Sequence, residues 1–216
     1  MKTILSTKKL SLSQMELLLN AGVSLVEYNA IKIETVSFEA PLKIENAIFT
    51  SQNGIKAFFE NGVRSSAVEN CFCVGEKTKI LLENNGFQVI KMTEYASELA
   101  DYLVKNHKSE AFHFFCGNIR SDEIPTKLNK NKIPLEEIEV YKTTLNPMKF
   151  KRNFDAVLFF SPSGVRSFFT ENEDIEMAVC IGKTTASEAK NYTDKVVISN
   201  ATTVESVIAK AVKTLR

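Results

Sequence analysis

Histidine is almost absent from this chain, with only His107 and His113 in 216 residues. One follows a helical stretch and the other sits in a strand-like run, so no Ser/His/Asp arrangement can be argued. His113 with Cys116 is too small a set of donors for a metal site, and no metal is expected. Cysteine is also scarce: Cys71, Cys73, Cys116 and Cys180 lie in or beside apolar strand-like runs and form no C-x-x-C pair. Buried, reduced thiols follow from that placement. No apolar run approaches the ~18 residues that a membrane span needs, and Met1–Lys9 lacks the apolar stretch of an export signal, so a cytoplasmic protein without membrane contact is expected. Charge of one sign is missing too. The 27 Lys and Arg against 26 Asp and Glu leave a formal net charge of +1, with no basic stripe for nucleic acid. No G-x-G-x-x-G follows a strand, which disfavours a dinucleotide. Gly182-Lys183-Thr184 lacks the earlier glycine of a nucleotide phosphate loop, because position 177 is Met.

What is present is a chain that is 44% hydrophobic and 25% charged, enough to bury the core of one large or two small domains. Its organising stretch is Val157-Leu-Phe-Phe-Ser-Pro-Ser-Gly-Val-Arg-Ser-Phe-Phe169. An apolar strand-forming run meets the polar turn Ser161–Gly164, and Val165, Phe168 and Phe169 then recur at helical spacing. Such a turn lies at the carboxyl end of a strand and the amino end of a helix, where unpaired N–H groups and the helix dipole favour an anion. The same cassette occurs as Ala47-Ile-Phe-Thr-Ser-Gln-Asn-Gly-Ile-Lys-Ala-Phe-Phe59.

Elsewhere strands and helices alternate. A helix over Leu12–Leu19 is predicted to bury Leu12, Met15, Leu18 and Leu19, with Ser11 or Ser13 as its cap. Strands are predicted over Phe87–Ile90 and Ile138–Thr144, and helices over Gly54–Asn61, Thr78–Asn84 and Val204–Leu215. The pattern predicts an α/β fold with mainly parallel sheets flanked by helices. The halves also match each other. Ser51–Gly54 matches Ser161–Gly164 at an offset of 110 residues, Cys73–Thr78 matches Cys180–Thr185 at 107, and Leu25 falls on Leu135 at 110. Two copies of one α/β unit are expected, with a ligand in the crevice between them.

Six polar strand-end turns stand out: Ser6-Thr7, Thr50–Gly54, Gly75–Thr78, Gly117–Arg120, Ser161–Gly164 and Gly182–Thr185. Ser, Thr and Asn there are also the ordinary helix caps, so capping and anion binding both fit. Tyr141, in the extended run Glu139–Thr144, is either an ordinary strand tyrosine or a phenol able to donate to a leaving hydroxyl. Tyr28, Tyr95, Tyr102 and Tyr192 have weaker claims.

Phe-Thr-Ser-Gln-Asn-Gly-Ile at 49–55, Cys-Gly-Asn-Ile-Arg at 116–120, Val-Tyr-Lys-Thr at 140–143, Phe-Phe-Ser-Pro-Ser-Gly-Val at 159–165, Ile-Gly-Lys-Thr-Thr at 181–185 and Ala-Thr-Thr at 201–203 together resemble the uroporphyrinogen-III synthase family. The resemblance implies two similar α/β domains, 1–30 with 146–216 and 36–137, joined by a two-stranded ladder of the crossover segments 31–35 and 138–145. The implied reaction needs no cofactor, and a monomer is expected. The implied reaction takes hydroxymethylbilane, a linear tetrapyrrole with many carboxylates, and closes it with loss of water and inversion of ring D to uroporphyrinogen III. It assigns binding to Ser51, Gly54, Thr78, Gly117, Asn118, Arg120, Ser161, Pro162, Ser163, Gly164, Thr184 and Thr185, and departure of the hydroxyl to Tyr141. Relatives carry a further basic residue after Arg120, where this chain has Ser121 and Asp122. A non-catalytic two-domain binding protein for a small polyanion is the rival reading.

Overall fold

The computed structural model describes residues 2–215. In chain order the first elements are β1 (Thr3–Ser6), α1 (Leu12–Leu19), β2 (Ser24–Glu27), β3 (Ile31–Thr35), β4 (Ile44–Phe49), α2 (Gln52–Glu60), β5 (Val68–Val74) and α3 (Glu76–Asn84). Next come β6 (Val89–Thr93), α4 (Ala96–Asn106), β7 (Phe112–Gly117), α5 (Glu123–Lys130) and β8 (Leu135–Leu145). The last are β9 (Ala156–Phe159), α6 (Pro162–Phe169), β10 (Ala178–Cys180), α7 (Lys183–Ala189), β11 (Val196–Ile198) and α8 (Val204–Leu215). The chain divides into two compact units, Met1–Lys32 with Thr144–Arg216, and Ile33–Thr143.

Each unit is built on its own sheet. One has the order β11-β10-β9-β1-β2, the other β3-β8-β7-β4-β5-β6. In the first sheet β1 pairs in parallel with β2 and β9, and β10 with β9 and β11. In the second, β4 pairs in parallel with β5 and β7, β5 with β6, and β7 with β8. From its far edge the second sheet runs β6-β5-β4-β7-β8, the same order as the first with β4 in the place of β9 and β7 in the place of β1. The matched residues fall at equivalent points: Ser51 and Ser161 cap α2 and α6, and Gly75 and Gly182 open α3 and α7. The duplication is therefore one of topology, with the strands taken in a different chain order in each unit.

Packing explains why the central strands are unbroken apolar runs: all four residues of β9 are buried, as expected for strands covered on both faces. In the unit Ile33–Thr143 the core is built on phenylalanine. Phe58 is fully buried, with its ring centroid 4.9 Å from Phe115, 5.5 Å from Phe49 and 5.8 Å from Phe87. Those edge-on contacts add to the burial itself. The four cysteines are buried and unpaired. Burial pushes the Cys73 and Cys180 thiols up to about 12 and raises Cys71 and Cys116 as well, leaving all four protonated near neutrality.

The structure corrects several sequence expectations. Ser11 caps α1 in a reciprocal capping box with Gln14, yet Leu12 and Leu19 are 76% and 61% exposed and only Leu18 is buried on that helix. Leucines lie almost all round α1, so spacing alone does not select the covered stripe; packing against β2 and α8 does. The strand expected at Phe87–Ile90 is β6, Val89–Thr93, because the positive φ of Gly86 turns the chain and Phe87 drops into the core first. The extended run at 138–144 is the middle of an eleven-residue strand, β8. No helix among the described residues is long and apolar enough to cross a membrane.

Phe58→Ala removes a side chain from the centre of this aromatic cluster. It is expected to destabilise the unit Ile33–Thr143 by about 3–5 kcal/mol, read as a lower urea midpoint for the corresponding transition.

Candidate functional site

Parallel pairing brings every strand-to-helix turn of a sheet out at the same edge. In the unit Ile33–Thr143, β4 leads into Ser51, whose Oγ accepts the Asn53 N–H at 3.1 Å and caps α2. β5 leads into Gly75, which has φ +87° and opens α3 without any side-chain cap. Thr78, buried in that first turn, donates its N–H to the Gly75 carbonyl at 3.0 Å. β7 ends in Gly117 and Asn118. The Asn118 amide grips the backbone of Thr143, accepting its N–H at 2.8 Å and donating to its carbonyl at 3.2 Å. Sequence reasoning read Asn118 as a binding residue; its side chain here splices the ends of β7 and β8.

Tyr141 is set by the same splice. The register between β7 and β8 shifts at Cys116 and Gly117, so that Gly117 stands opposite Tyr141, and such a bulge re-aims the side chains beside it. The Tyr141 ring then lies across Gly117. A Cβ on Gly117 would fall 2.5 Å from Tyr141 Cε2 and Cζ and 3.0 Å from its hydroxyl oxygen, closer than any side chain tolerates. Gly117 is thus required by a neighbouring ring. Tyr141 is only 7% exposed. Burial raises its phenol above the ordinary value, against a hydrogen bond with Ser51 that pulls it down. The phenol is therefore protonated near neutral pH and able to donate.

Arg120 is held by acidic neighbours. It lines a pocket of about 350 Å³ with Cys116, Gly117, Asn118, Asp122, Glu137 and Glu139, and it forms ion pairs with Asp122 and Glu137. Burial works against its charge, but the hydrogen bond with Asp122 and the charge of Glu137 outweigh burial and raise its pKa. Asp122, two positions on, is thus a partner of Arg120. Glu137 and Glu139 were not singled out from sequence, since alternating glutamates on a strand read as a solvated face.

In the unit Met1–Lys32 with Thr144–Arg216, Ser161 caps α6 by accepting the Gly164 N–H at 3.1 Å, and it shares a hydrogen bond with Ser163 at 3.1 Å. Pro162 occupies the first helical position, where a missing N–H costs nothing. Thr7 donates to the Leu158 carbonyl at 2.7 Å and lies beside Gly164, whose Cβ would stand 3.6 Å from Thr7 Oγ1 and 3.3 Å from Ser161 Oγ. Gly54 is the counterpart, 3.1 Å by the same measure from the Phe115 carbonyl. The close approach both glycines permit is to the chain's own groups. Thr185 is buried and Thr184 exposed in the first turn of α7. Tyr28, given little weight from sequence, is buried with no hydrogen-bond partner for its hydroxyl among the described residues, and burial pushes its pKa up to about 12.

These turns, in this order on this fold, can be compared with known proteins. The model for "Uroporphyrinogen-III synthase HemD" matches residues 14–209. The chain belongs to the uroporphyrinogen-III synthase family. It is 28% identical over 236 aligned positions to the porphyrin biosynthesis protein HemD of Ruminiclostridium josui, covering 94% of this chain and 46% of that protein. The chain thus spans about half the length of this curated relative. Among solved structures, the uroporphyrinogen-III synthetase of Helicobacter pylori aligns with a TM-score of 0.75 and 18% identity over 100% of both chains. A mutant uroporphyrinogen III synthase of Thermus thermophilus aligns at 0.69 and 12% identity over 99% of this chain and 100% of that one. At those identities the likeness is one of fold, and it extends the family's fold to the whole chain.

Gly117→Ala must push the Tyr141 ring aside or open the β7–β8 splice. A loss of about 1–3 kcal/mol is expected, the usual cost of overpacking, measured by urea unfolding of the variant against the parent protein.

Proposed function

We propose that this chain closes hydroxymethylbilane to uroporphyrinogen III, with loss of water and inversion of ring D. The observation that supports this most directly is the Tyr141 phenol, protonated and laid over Gly117 beside Ser51 at the edge where the strand-end turns emerge. The first chemical step of such a closure is departure of a hydroxyl group, which leaves as water only if a proton reaches it. A positioned phenol supplies that proton or a strong hydrogen bond, and such assistance is worth ~10²–10⁴ in rate. Loss of water leaves an azafulvene. Attack by the substituted carbon of ring D then gives a spiro intermediate, and its fragmentation and reclosure invert the ring.

The rest of the task is to hold a flexible chain with many carboxylates in one geometry, an orientation effect more than a chemical one. We assign binding of carboxylates to the turns: Ser51, Gly54 and Thr78 with the uncapped start of α3, Gly117, Asn118 and Arg120, and in the other unit Ser161 to Gly164 with Thr184 and Thr185. Each N-terminal turn offers ~0.3–1 kcal/mol per carboxylate through the helix dipole, more where it is partly buried. Arg120 contributes only by exchanging Asp122 or Glu137 for a substrate carboxylate.

Incubation with freshly prepared hydroxymethylbilane, followed by separation of the product isomers, tests the reading. The inverted isomer is expected in excess of the spontaneous product. The non-inverted isomer alone would instead favour a non-catalytic binder of polyanions. Tyr141→Phe is expected to lower turnover tenfold or more, a part of the ~10²–10⁴ available to general acid assistance, with an unchanged circular dichroism spectrum.

A further inference from the structure

A hydroxyl taken out of water is ordinarily given a partner inside the fold. Among the described residues most buried serines and threonines follow this rule: Ser6, Thr7, Thr93 and Ser199 donate to main-chain carbonyls, and Thr3 and Ser167 accept from neighbouring donors. Three buried threonines do not. Thr78, Thr143 and Thr185 form no hydrogen bond through their hydroxyls within the described residues. Nor are these hydroxyls sealed in, since the enclosed side-chain atoms without partners are the Tyr28 oxygen and His113 Nδ1. Thr78 and Thr185 sit in the first turns of α3 and α7, already assigned to carboxylates above. Thr143 has no task within the fold that uses its hydroxyl.

Its setting is nevertheless fixed. Thr143 lies two residues beyond Tyr141 on β8, with the exposed Lys142 between them, so Tyr141 and Thr143 share the buried face of the strand. The Asn118 amide bonds both the N–H and the carbonyl of Thr143, which holds the base of the side chain in place. The Tyr141 hydroxyl reaches the same corner: a Cβ on Gly117, the residue before Asn118, would stand 3.0 Å from the phenol oxygen. Two hydroxyls therefore border the end of β7. One belongs to a protonated phenol, the other to an alcohol with nothing internal to bond.

We infer that Thr143 is a further substrate-binding residue of the proposed reaction: its hydroxyl accepts the hydrogen of the substrate's departing hydroxyl and so turns that oxygen's lone pair toward Tyr141. This inference rests on the functional reading above. An alcohol oxygen has two acceptor sites, and those of Thr143 are not taken within the fold. As the Tyr141 proton arrives, the leaving oxygen becomes more positive and its own O–H a stronger donor. The bond to Thr143 therefore tightens toward the transition state, where it accelerates the step. The covalent changes are those of dehydration alone. The Tyr141 O–H and the substrate C–O bonds break, the C–O electron pair leaves with the oxygen as water, and the pyrrole N–H gives up the proton that replaces the one lost by Tyr141. Thr143 keeps its own proton throughout.

Thr143→Val removes the hydroxyl and leaves the main-chain grip of Asn118 untouched. It is expected to lower kcat for hydroxymethylbilane about tenfold, the scale of one hydrogen bond to a charged group, while changing KM by no more than about twofold. Thr143→Ser, which keeps the hydroxyl, is expected to restore most of the rate. A parental kcat in Thr143→Val, a loss expressed only in KM, or a serine variant as slow as the valine one would each overturn the inference. Two readouts need no turnover. Because the hydroxyl has no internal partner, the urea midpoint of Thr143→Val is expected to be no lower than that of the parent; a clear drop would reveal an internal bond and overturn the inference. Calorimetry with a bilane ending in methyl in place of hydroxymethyl is expected to give the parent and Thr143→Val the same affinity within about twofold. Weaker binding by the variant would place Thr143 on another part of the ligand and overturn the assignment. A parent protein that forms no uroporphyrinogen III removes the functional reading and this inference with it, whereas an unimpaired Thr143→Val beside an active parent removes the inference alone.

Discussion

Parallel pairing within each sheet is the constraint on which everything else depends, because strands that run the same way must all hand over to their helices at one edge. Apolar runs such as β9 are swallowed between helices, and the short polar turns between strand and helix are left at that edge together. There the first N–H groups of several helices lack partners within their helices. Some are satisfied by Ser51 and Ser161, whereas the start of α3 at Gly75 has no side-chain cap. The same constraint explains Gly54 and Gly164, which let α2 and α6 come close to groups of their own units.

The two units show how one scaffold diverges. Their strand orders correspond, and their capping serines and helix-opening glycines coincide. In one unit β1 and β2 pair in unbroken register. In the other, the equivalent pair β7 and β8 slips at Cys116 and Gly117, and that slip sets the buried Tyr141 ring across Gly117. A one-residue irregularity in a strand, locked by the Asn118 amide on Thr143, is what distinguishes the unit with a candidate proton donor. A local change of register re-aims a side chain without disturbing the fold around it.

Much of this was legible beforehand, and the exceptions have physical causes. The cassettes at Ala47–Phe59 and Val157–Phe169 read correctly as strand, turn and helix because apolar runs, capping residues and helical spacing are local signals. The buried face of α1 did not read correctly, since Leu12, Leu17 and Leu19 remain exposed and only the neighbouring elements decide which leucine is covered. Gly117 was singled out, but as a contact for a ligand; its visible necessity is the Tyr141 ring. Arg120 was singled out as a binding residue, and its partner Glu137 lies 17 positions away on β8, beyond any local pattern.

The sequence by itself determined the alternation of strands and helices, the duplication and the polar turns. Each depends on the chemistry of residues within about a turn or a strand of one another, or on motifs compared along the chain. Only the tertiary structure decided what those turns do. Gly117 and Tyr141 are 24 residues apart in the chain, and nothing in either segment states that the glycine will face the ring. That contact exists because β7 and β8 pair side by side in one sheet and because a glycine at position 117 leaves the space for the ring.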